Sequence, residues 1–288
     1  MRWQQSERSK NVDDRRGQSG GGRRIGGGIG IGAIILALLA FLFGGDPMAV
    51  LQNASQSAPT QTQTQPVDLT KRDDYALGEF VKVVLKETED VWYKLFQEQL
   101  NRRYQPPVLV LYDRQTTSAC GVGSSATGPF YCPGDQKIYI DLTFYEELQT
   151  KFGASGDFAM AYVIAHEVGH HIQYLLDITT QVEQQKRRMS KAQGNELSVR
   201  LELQADFLAG VWAHHGQKMK GFLEEGDLEE AVNAAAAVGD DRIQMKSRGY
   251  VVPESFTHGT SEQRVRWFKK GLMSGNVEDG DTFRTNAL

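Results

Sequence analysis

The chain has 288 residues, a formal net charge of −4 and only two cysteines. Such a length accommodates one globular domain with a sizeable core, and the sequence has no internal repeat that would indicate a repeat architecture. The spacing of the two cysteines also excludes a metal site of the CxxC type.

The first 24 residues are basic. They carry seven Lys or Arg side chains and three acidic ones, a net charge of +4, whereas the rest of the chain carries −8. A basic start of this kind fits nucleic acid or anionic lipid as a partner. Residues 25–45, however, contain no charged side chain, and residues 33–43 are continuously apolar. We therefore expect a lipid partner and no nucleic acid.

Residues 25–45 have the length of about 20 residues that a helix needs to cross a bilayer. We predict one transmembrane helix over 25–45, with the basic segment 1–24 in the cytoplasm and the following residues on the other side. A cleaved signal peptide is the alternative, but the long basic segment and the lack of a small-x-small cleavage site favour an uncleaved anchor. Residues 46–72, rich in Gln, Ser and Thr, are predicted to be a disordered linker.

The next part of the chain, residues 73–275, is predicted to form one α+β domain, followed by a C-terminal tail over 276–288. A long amphipathic helix comes first, short alternating strands follow between residues 107 and 142, and the remainder is helical. The predicted helices cover residues 73–103, 143–151, 156–177, 195–215, 227–245 and 261–272.

Cys120 and Cys132 bracket a loop rich in Gly and Ser within the predicted strand region. In an oxidising compartment the pair would form a disulfide and restrain the loop by about 3 kcal/mol. Two free thiols in a reducing cytosol are the alternative. We expect the disulfide, because the predicted anchor places this part of the chain outside the cytoplasm.

The sequence from His166 to His170 is an H-E-x-x-H motif. On a helix, this spacing places His166 and His170 one turn apart on one face, where both imidazoles can reach a single Zn²⁺. Glu167 is rotated by about 100° from His166, so that its carboxylate can contact a metal-bound water without binding the metal. Two surface histidines are the simpler interpretation. The flanking residues are apolar, however, and a buried His-Glu-His set needs a partner.

A catalytic zinc usually has three protein ligands. Metzincins require Gly and His three and six residues after the second motif histidine, and this chain has Gln173 and Leu176 there. A second predicted helix offers Glu202 and Asp206, four residues apart on one face. Glu202 would complete the site, and Asp206 would accept the second N–H of a ligand imidazole. In one alternative, Asp206 is the ligand and Glu202 its neighbour. In the other, the two acids belong to a solvated helix face.

An H-E-x-x-H motif followed by E-x-x-x-D on a second helix resembles the gluzincin metallopeptidases. Over most of its length, from the basic start to the metal motif, the chain is similar to the bacterial YpfJ family of neutral zinc metallopeptidases. The HtpX and CAAX-protease group is a more distant resemblance. These resemblances imply a zincin-like fold, one zinc ion and peptidase activity. The predicted anchor and its orientation place the protein in the bacterial inner membrane, with the zinc domain in the periplasm or otherwise outside the cytoplasm.

The resemblance to the HtpX-like group implies a role for His258, which precedes the last predicted helix. In that group a similar histidine helps to stabilise the reaction intermediate. Here Gly259 stands where the group usually has Pro. Thr260 and Gln263 are predicted to cap the helix that follows. A surface loop histidine without a catalytic role is the alternative.

Zincins hold extended substrates on an edge strand that precedes the active-site helix, and residues 137–142 occupy this place in the chain. Together these features predict a membrane-anchored zinc peptidase that cleaves proteins or peptides of the cell envelope, with Glu167 as the general base. A noncatalytic zinc-containing binding or scaffold protein of the envelope is the alternative. A structural zinc site has no need of a water-activating carboxylate, so Glu167 favours the enzyme.

Overall fold

The β part of the domain is a four-stranded mixed sheet with a separate two-stranded hairpin. The computed structural model describes residues 1–18, 67–285 and 287–288. Its strands are β1 (Val12–Asp14), β2 (Val108–Tyr112), β3 (Gln115–Ser118), β4 (Gly121–Ser124), β5 (Phe130–Cys132) and β6 (Lys137–Asp141). The sheet has the order β1-β2-β6-β5, in which β5 is antiparallel to β6 and the other pairs are parallel, while β3 and β4 form the hairpin.

Helices make up most of the described residues, in agreement with the predicted α+β class. They are α1 (Tyr75–Glu98), α2 (Thr143–Thr150), α3 (Asp157–Leu175), α4 (Ile178–Lys186), α5 (Lys191–Lys220), α6 (Asp227–Ala237), α7 (Asp240–Arg248) and α8 (Ser261–Ser274). The capping box predicted from Thr260 and Gln263 is present at the start of α8. A second one, from Ser190 and Gln193, starts α5.

Helix α3 lies at the centre of the domain. It is buried on nearly every side and contacts α1, α5, α6 and strand β5. The helix begins after Gly156, whose φ of 107° suits glycine. Asp157 then places a negative charge in the first turn, where the helix dipole stabilises it. A central position explains why the sequence around the H-E-x-x-H motif is apolar on all faces.

Close backbone approaches fix the position of α5 against its neighbours. A Cβ added to Gly169 of α3 would lie 3.0 Å from the carbonyl oxygen of Ala205, so α3 and α5 cross there at short range. On another face of α5, Gly210 leaves room for the backbone of α8 near Phe268. In turn, Gly271 of α8 leaves room for the backbone of α5 near Phe207. These contacts place the middle of α5 between α3 and α8.

The predicted N-terminal boundary is wrong for residues 1–16. Strand β1 is hydrogen-bonded to β2 within the main sheet, so this segment is not separate, and residues 1–16 and 69–288 form one compact unit. The predicted anchor over 25–45 lies outside the described residues, as does the predicted linker up to residue 66. Among the residues that the structure describes, no helix is both long and apolar enough to span a membrane.

The residues predicted to form a C-terminal tail are also part of the domain. Thr282 is fully buried, and its Oγ1 donates a hydrogen bond to the carbonyl oxygen of Arg200 at 2.6 Å. The side chain of Gln204 donates to the carbonyl oxygen of Gly280 at 2.9 Å. The boundary predicted at residue 275 is therefore wrong, because α5 binds the segment that follows.

Two further predictions about elements differ from the structure. The helix predicted over 227–245 is interrupted, because Gly239 packs against the backbone of Ser261 and the chain turns there to start α7. The strand predicted to be an edge, residues 137–142, corresponds to β6, which lies between β2 and β5. The edge on the side of α3 is β5, so the predicted position of the edge strand is wrong.

Candidate metal centre

Two helices bring three potential metal ligands together. His166 and His170 lie one turn apart on α3, with ring centroids separated by 4.7 Å. Glu202 on α5 faces both of them. Its Oε2 lies 3.1 Å from Nε2 of His166, and its Oε1 lies 3.5 Å from Nε2 of His170. One donor atom from each residue lies within 4.8 Å of the other two, which suits a single zinc ion with three protein ligands.

Asp206 fixes the orientation of His166. Its Oδ1 accepts a hydrogen bond from Nδ1 of His166 at 2.8 Å, which leaves Nε2 directed toward Glu202. Asp206 is completely buried. Burial opposes its ionisation, but the positive charges of Arg264 and His166 outweigh burial and lower the pKa of Asp206 to about 2. Of the two predicted carboxylates, Glu202 therefore faces both imidazoles, and Asp206 is an ionised partner behind one of them.

Arg264 and Tyr162 complete the surroundings of Asp206. Nε and Nη2 of Arg264, on α8, donate to Oδ2 and Oδ1 of Asp206 at 2.8 and 2.9 Å. The hydroxyl of Tyr162, on α3, donates to Oδ1 as well and accepts a hydrogen bond from Arg264 at 3.2 Å. All three side chains are buried. The paired, charge-assisted hydrogen bonds allow Asp206 to stay ionised in the interior.

Gln173 holds the second histidine of the motif. Its Oε1 accepts a hydrogen bond from Nδ1 of His170 at 2.9 Å, so Nε2 of His170 also points toward Glu202. The amide nitrogen of Gln173 donates to the carbonyl oxygen of Leu201 at 2.6 Å and to Oε1 of Gln204 at 3.1 Å. Both histidines thus have their second nitrogen engaged, which is the usual arrangement around histidine ligands of zinc. The donor set and its supports fit zinc.

His258 is held next to this centre by Asp240, the first residue of α7. Oδ2 of Asp240 accepts hydrogen bonds from the backbone N–H groups of Thr257, His258 and Gly259, at 2.7, 2.6 and 3.1 Å. Oδ1 lies 3.3 Å from Nδ1 of His258. This hydrogen bond raises the pKa of His258 despite its partial burial, and the charge of Glu202 acts in the same direction. The break between α6 and α7 thus has a role, because it positions Asp240 beneath the His258 loop.

The metal centre opens into a cleft of about 560 Å³, within the usual range for ligand sites. Glu167, His258 and the three potential ligands all line this cleft. Glu167 lines the cleft although it is only 8% exposed. The walls are rich in aromatic side chains, which are Phe130, Tyr131, Phe144, Phe152 and Tyr162.

The predicted disulfide between Cys120 and Cys132 is confirmed. Cys120 lies in the turn of the β3–β4 hairpin and Cys132 at the end of β5, and their Cα atoms are 5.8 Å apart. The bond therefore ties the hairpin to the strand that borders the cleft. Ring stacking of Phe130 on Tyr139 of β6 adds a second support for this strand.

Four residues of the site were absent from the predicted set. Tyr162 precedes His166 by one helical turn, a spacing that places it on the same face. Gln173 follows His170 by three residues, and it served only to exclude a metzincin pattern. Asp240 and Arg264 carry no comparable signal, because each reaches the site through the packing of α7 or α8 against the rest of the domain.

A buried H-E-x-x-H helix with a carboxylate from a second helix defines the class of zinc metallopeptidase sites. Residues 1–283 match the family described as "Putative neutral zinc metallopeptidase", and the chain belongs to this family. It is 48% identical over 290 residues to "Uncharacterized protein YpfJ" of Escherichia coli (strain K12), covering 98% of this chain and 99% of that protein. It is also 40% identical over 261 residues to "Uncharacterized protein Rv2575" of Mycobacterium tuberculosis, covering 85% of each. No solved structure shows a significant match to the chain.

Proposed function

We propose that this protein is a zinc-dependent peptidase that hydrolyses peptide bonds of protein or peptide substrates. The observation that carries the proposal is the position of Glu167, which shares one cleft with the His166, His170 and Glu202 donor set. Zinc bound by this set supplies a Lewis acid that polarises the scissile carbonyl and activates water. The family description, which names zinc and peptidase activity, supports the same reaction.

Glu167 serves as the general base in this proposal. Its carboxylate removes a proton from the attacking water and then transfers that proton to the leaving amine. His166 and His170, which would hold the zinc, are each fixed by a hydrogen bond to their second nitrogen. A fixed ligand geometry of this kind allows the base to act without reorganisation.

His258, held by Asp240, is proposed to stabilise the oxyanion. His258 is half-exposed and lines the cleft, so its Nε2–H is available to a substrate oxygen while Nδ1 contacts Asp240. The raised pKa of His258 favours the protonated imidazole, which is the stronger hydrogen-bond donor. Asp240 is then a positioning residue, because it also holds the loop backbone around His258.

Strand β5 is proposed to bind the substrate backbone. Among the described strands it has β6 on one side and no partner on the other, and Phe130 and Tyr131 of β5 line the cleft. An extended peptide could therefore add to this edge by backbone hydrogen bonding. We further propose that the protein acts in the cell envelope, because disulfides such as Cys120–Cys132 persist in oxidising compartments.

A Glu167→Gln variant tests the proposed reaction. We expect its zinc content to match that of the wild type, while cleavage of an unfolded test protein falls by at least about 100-fold, since the variant cannot accept a proton. Glu98→Gln, on the exposed surface of α1, is the matched control and keeps full activity. Undiminished cleavage by Glu167→Gln would exclude this mechanism. A wild type that binds one zinc and cleaves no peptide would indicate the noncatalytic alternative.

A further inference from the structure

The cleft extends from the metal centre toward the start of α3. Val163 lies one turn before Glu167 on the same face of this helix, and both residues line the cleft. Phe144 of α2 and Phe152, which follows α2, also line it, and their ring centroids are 6.2 Å apart. Ile243 of α7 is a further lining residue. We call the part of the cleft formed by Phe144, Phe152, Val163 and Ile243 the apolar end.

Two walls of the apolar end are joined to each other. The side chain of Lys246 on α7 donates a hydrogen bond to the carbonyl oxygen of Lys151. Lys151 directly precedes Phe152, and Lys246 follows Ile243 by three residues, which is nearly one helical turn. The contact therefore helps to hold the wall that carries Phe152 and the wall that carries Ile243 at a set distance.

The deeper walls of the apolar end belong to the hydrophobic core. Phe144 and Val163 are 9% and 8% exposed, and both pack within the main core cluster. The ring of Phe144 is also covered by the loop before β5, since a Cβ added to Gly128 would lie 3.5 Å from its Cε2 atom. These side chains are already ordered, so a bound group would not have to immobilise them.

Charge at the apolar end is already paired. Among the residues that the structure describes there, Glu147 is charged and lines the cleft one turn after Phe144, but it forms an ion pair with Lys151 at 2.5 Å. A charged substrate side chain placed here would lose its hydration without gaining a free partner. An apolar side chain would instead gain from leaving water.

We propose that the apolar end binds one large apolar side chain of the substrate, next to the bond that is cleaved. The inference rests on the proposed peptidase activity, because it uses the position of Val163 one turn from the general base Glu167. Ile243 is proposed as a specificity-determining residue, since its side chain is 38% exposed and lines the cleft. The substrate class is then unfolded segments that contain Leu, Ile, Met or Phe, which are mostly buried in folded proteins.

Two succinyl hydroxamates that differ only in an isobutyl or a methyl side chain test this site without turnover. The hydroxamate group binds zinc in both compounds, so a difference in their affinities reports on the side chain. Calorimetry with the zinc-loaded full chain measures both affinities. We expect the isobutyl compound to bind at least about 10-fold more tightly, as is typical of additional carbons in an apolar pocket. Equal affinities, or tighter binding of a third compound with an aminobutyl side chain, would overturn the proposal.

Ile243→Ser tests the wall formed by α7. The substitution removes apolar area at a partly exposed position, so we expect the fold and the zinc content to be kept while the isobutyl preference falls by at least about 3-fold. Met245→Ser is the matched control, because Met245 lies on the same helix, is 53% exposed and is not among the described residues that line the cleft. It should keep the full preference. An unchanged preference in Ile243→Ser would overturn the assignment of Ile243.

Digestion of casein, an unfolded protein, distinguishes a failure of this inference from a failure of the proposed function. Mass spectrometry of the products locates the bonds that the wild type cleaves. We expect Leu, Ile, Met or Phe on the same side of most of these bonds. Cleavage without this preference, together with equal hydroxamate affinities, would overturn the apolar site and leave the peptidase activity standing. Absence of cleavage with a retained isobutyl preference would overturn the peptidase activity and leave the side-chain site standing.

Discussion

Gln173 accepts a hydrogen bond from His170 at 2.9 Å and connects this potential zinc ligand to the C-terminal segment. Its amide nitrogen donates to Gln204, whose own amide nitrogen donates to the carbonyl oxygen of Gly280. The orientation of the His170 imidazole therefore depends on a series of hydrogen bonds that ends at Gly280, about 75 residues downstream of Gln204. Gln173 and Gln204 are buried, so these hydrogen bonds are shielded from water.

Replacing Gln173 with Leu removes the acceptor for His170 and leaves a similar volume. We expect zinc affinity to fall by about 10- to 100-fold, as is typical for the loss of a hydrogen bond behind a ligand. Competition with a chelating dye measures the affinity. Gln97→Leu, on the exposed face of α1, is the control and should bind zinc as the wild type does. Equal affinities for the two variants would show that Gln173 does not position His170.

Gly169 allows α3 and α5 to cross closely enough for Glu202 to reach the motif histidines. In Gly169→Ala, the new Cβ would lie 3.0 Å from the carbonyl oxygen of Ala205, the shortest distance at which Cβ atoms are found. Because this oxygen belongs to the backbone, it cannot rotate away. We expect a loss of about 1–3 kcal/mol in the free energy of unfolding, together with weaker zinc binding. Gly194→Ala on α5 is the control, because its nearest neighbour would be 3.7 Å away. Thermal unfolding that ranks the two variants in the opposite order would contradict the crossing.

Variants of His258 and Asp240 should change different kinetic properties, namely kcat for His258 and the pH profile of kcat for Asp240. His258→Ala should lower kcat by about 100-fold with little change in KM or zinc content, because an oxyanion donor acts in the transition state. Asp240→Asn weakens the hydrogen bond that raises the pKa of His258. Protonated His258 would then be lost at lower pH, so the alkaline limb of the kcat profile should move to lower pH. An unchanged limb would show that Asp240 serves only to hold the loop.

Local signals in the sequence predicted which residues lie together at the centre of the candidate site. The spacing of His166 and His170 and the four-residue separation of Glu202 from Asp206 are properties of single helices, and the structure brings these residues together. The same holds for the capping box of α8, which depends on residues only three apart. Features of this kind follow from helical geometry and need no knowledge of the tertiary fold.

Features that depend on long-range packing could not be predicted in this way. Strand β1 has three residues and pairs with β2 almost a hundred residues later, so its apolar pattern is too short to be recognised. The order of the sheet, which makes β5 and not β6 the edge, is likewise a property of strand pairing. Arg264 reaches Asp206 from α8, a helix that packs closely against α5 at glycines of both helices. A charged residue on a helix gives no sequence signal of such a buried contact.

His171 provides a prediction about pH and stability. It is 1% exposed, its Nε2–H donates to the carbonyl oxygen of Gln105 at 2.7 Å, and its Nδ1 accepts from the hydroxyl of Tyr131 at 3.1 Å. Burial favours the neutral ring and lowers the pKa of His171 to about 4. Because the folded pKa lies below the unfolded value of about 6.5, the unfolded chain binds the proton first as the pH falls. Stability from this residue is therefore complete above about pH 6.5 and is lost between about pH 6.5 and pH 4.

Denaturant unfolding of the zinc-free protein measures this effect. From pH 7 to pH 5, the free energy of unfolding of the wild type should fall by about 2 kcal/mol relative to that of His171→Gln, which cannot be protonated in this range. Removing zinc avoids the separate effect of protons on ligand binding. The comparison with the variant cancels the contributions of the other histidines, which both proteins share. A difference between the two proteins that stays constant from pH 7 to pH 5 would show that His171 is not kept neutral by the fold.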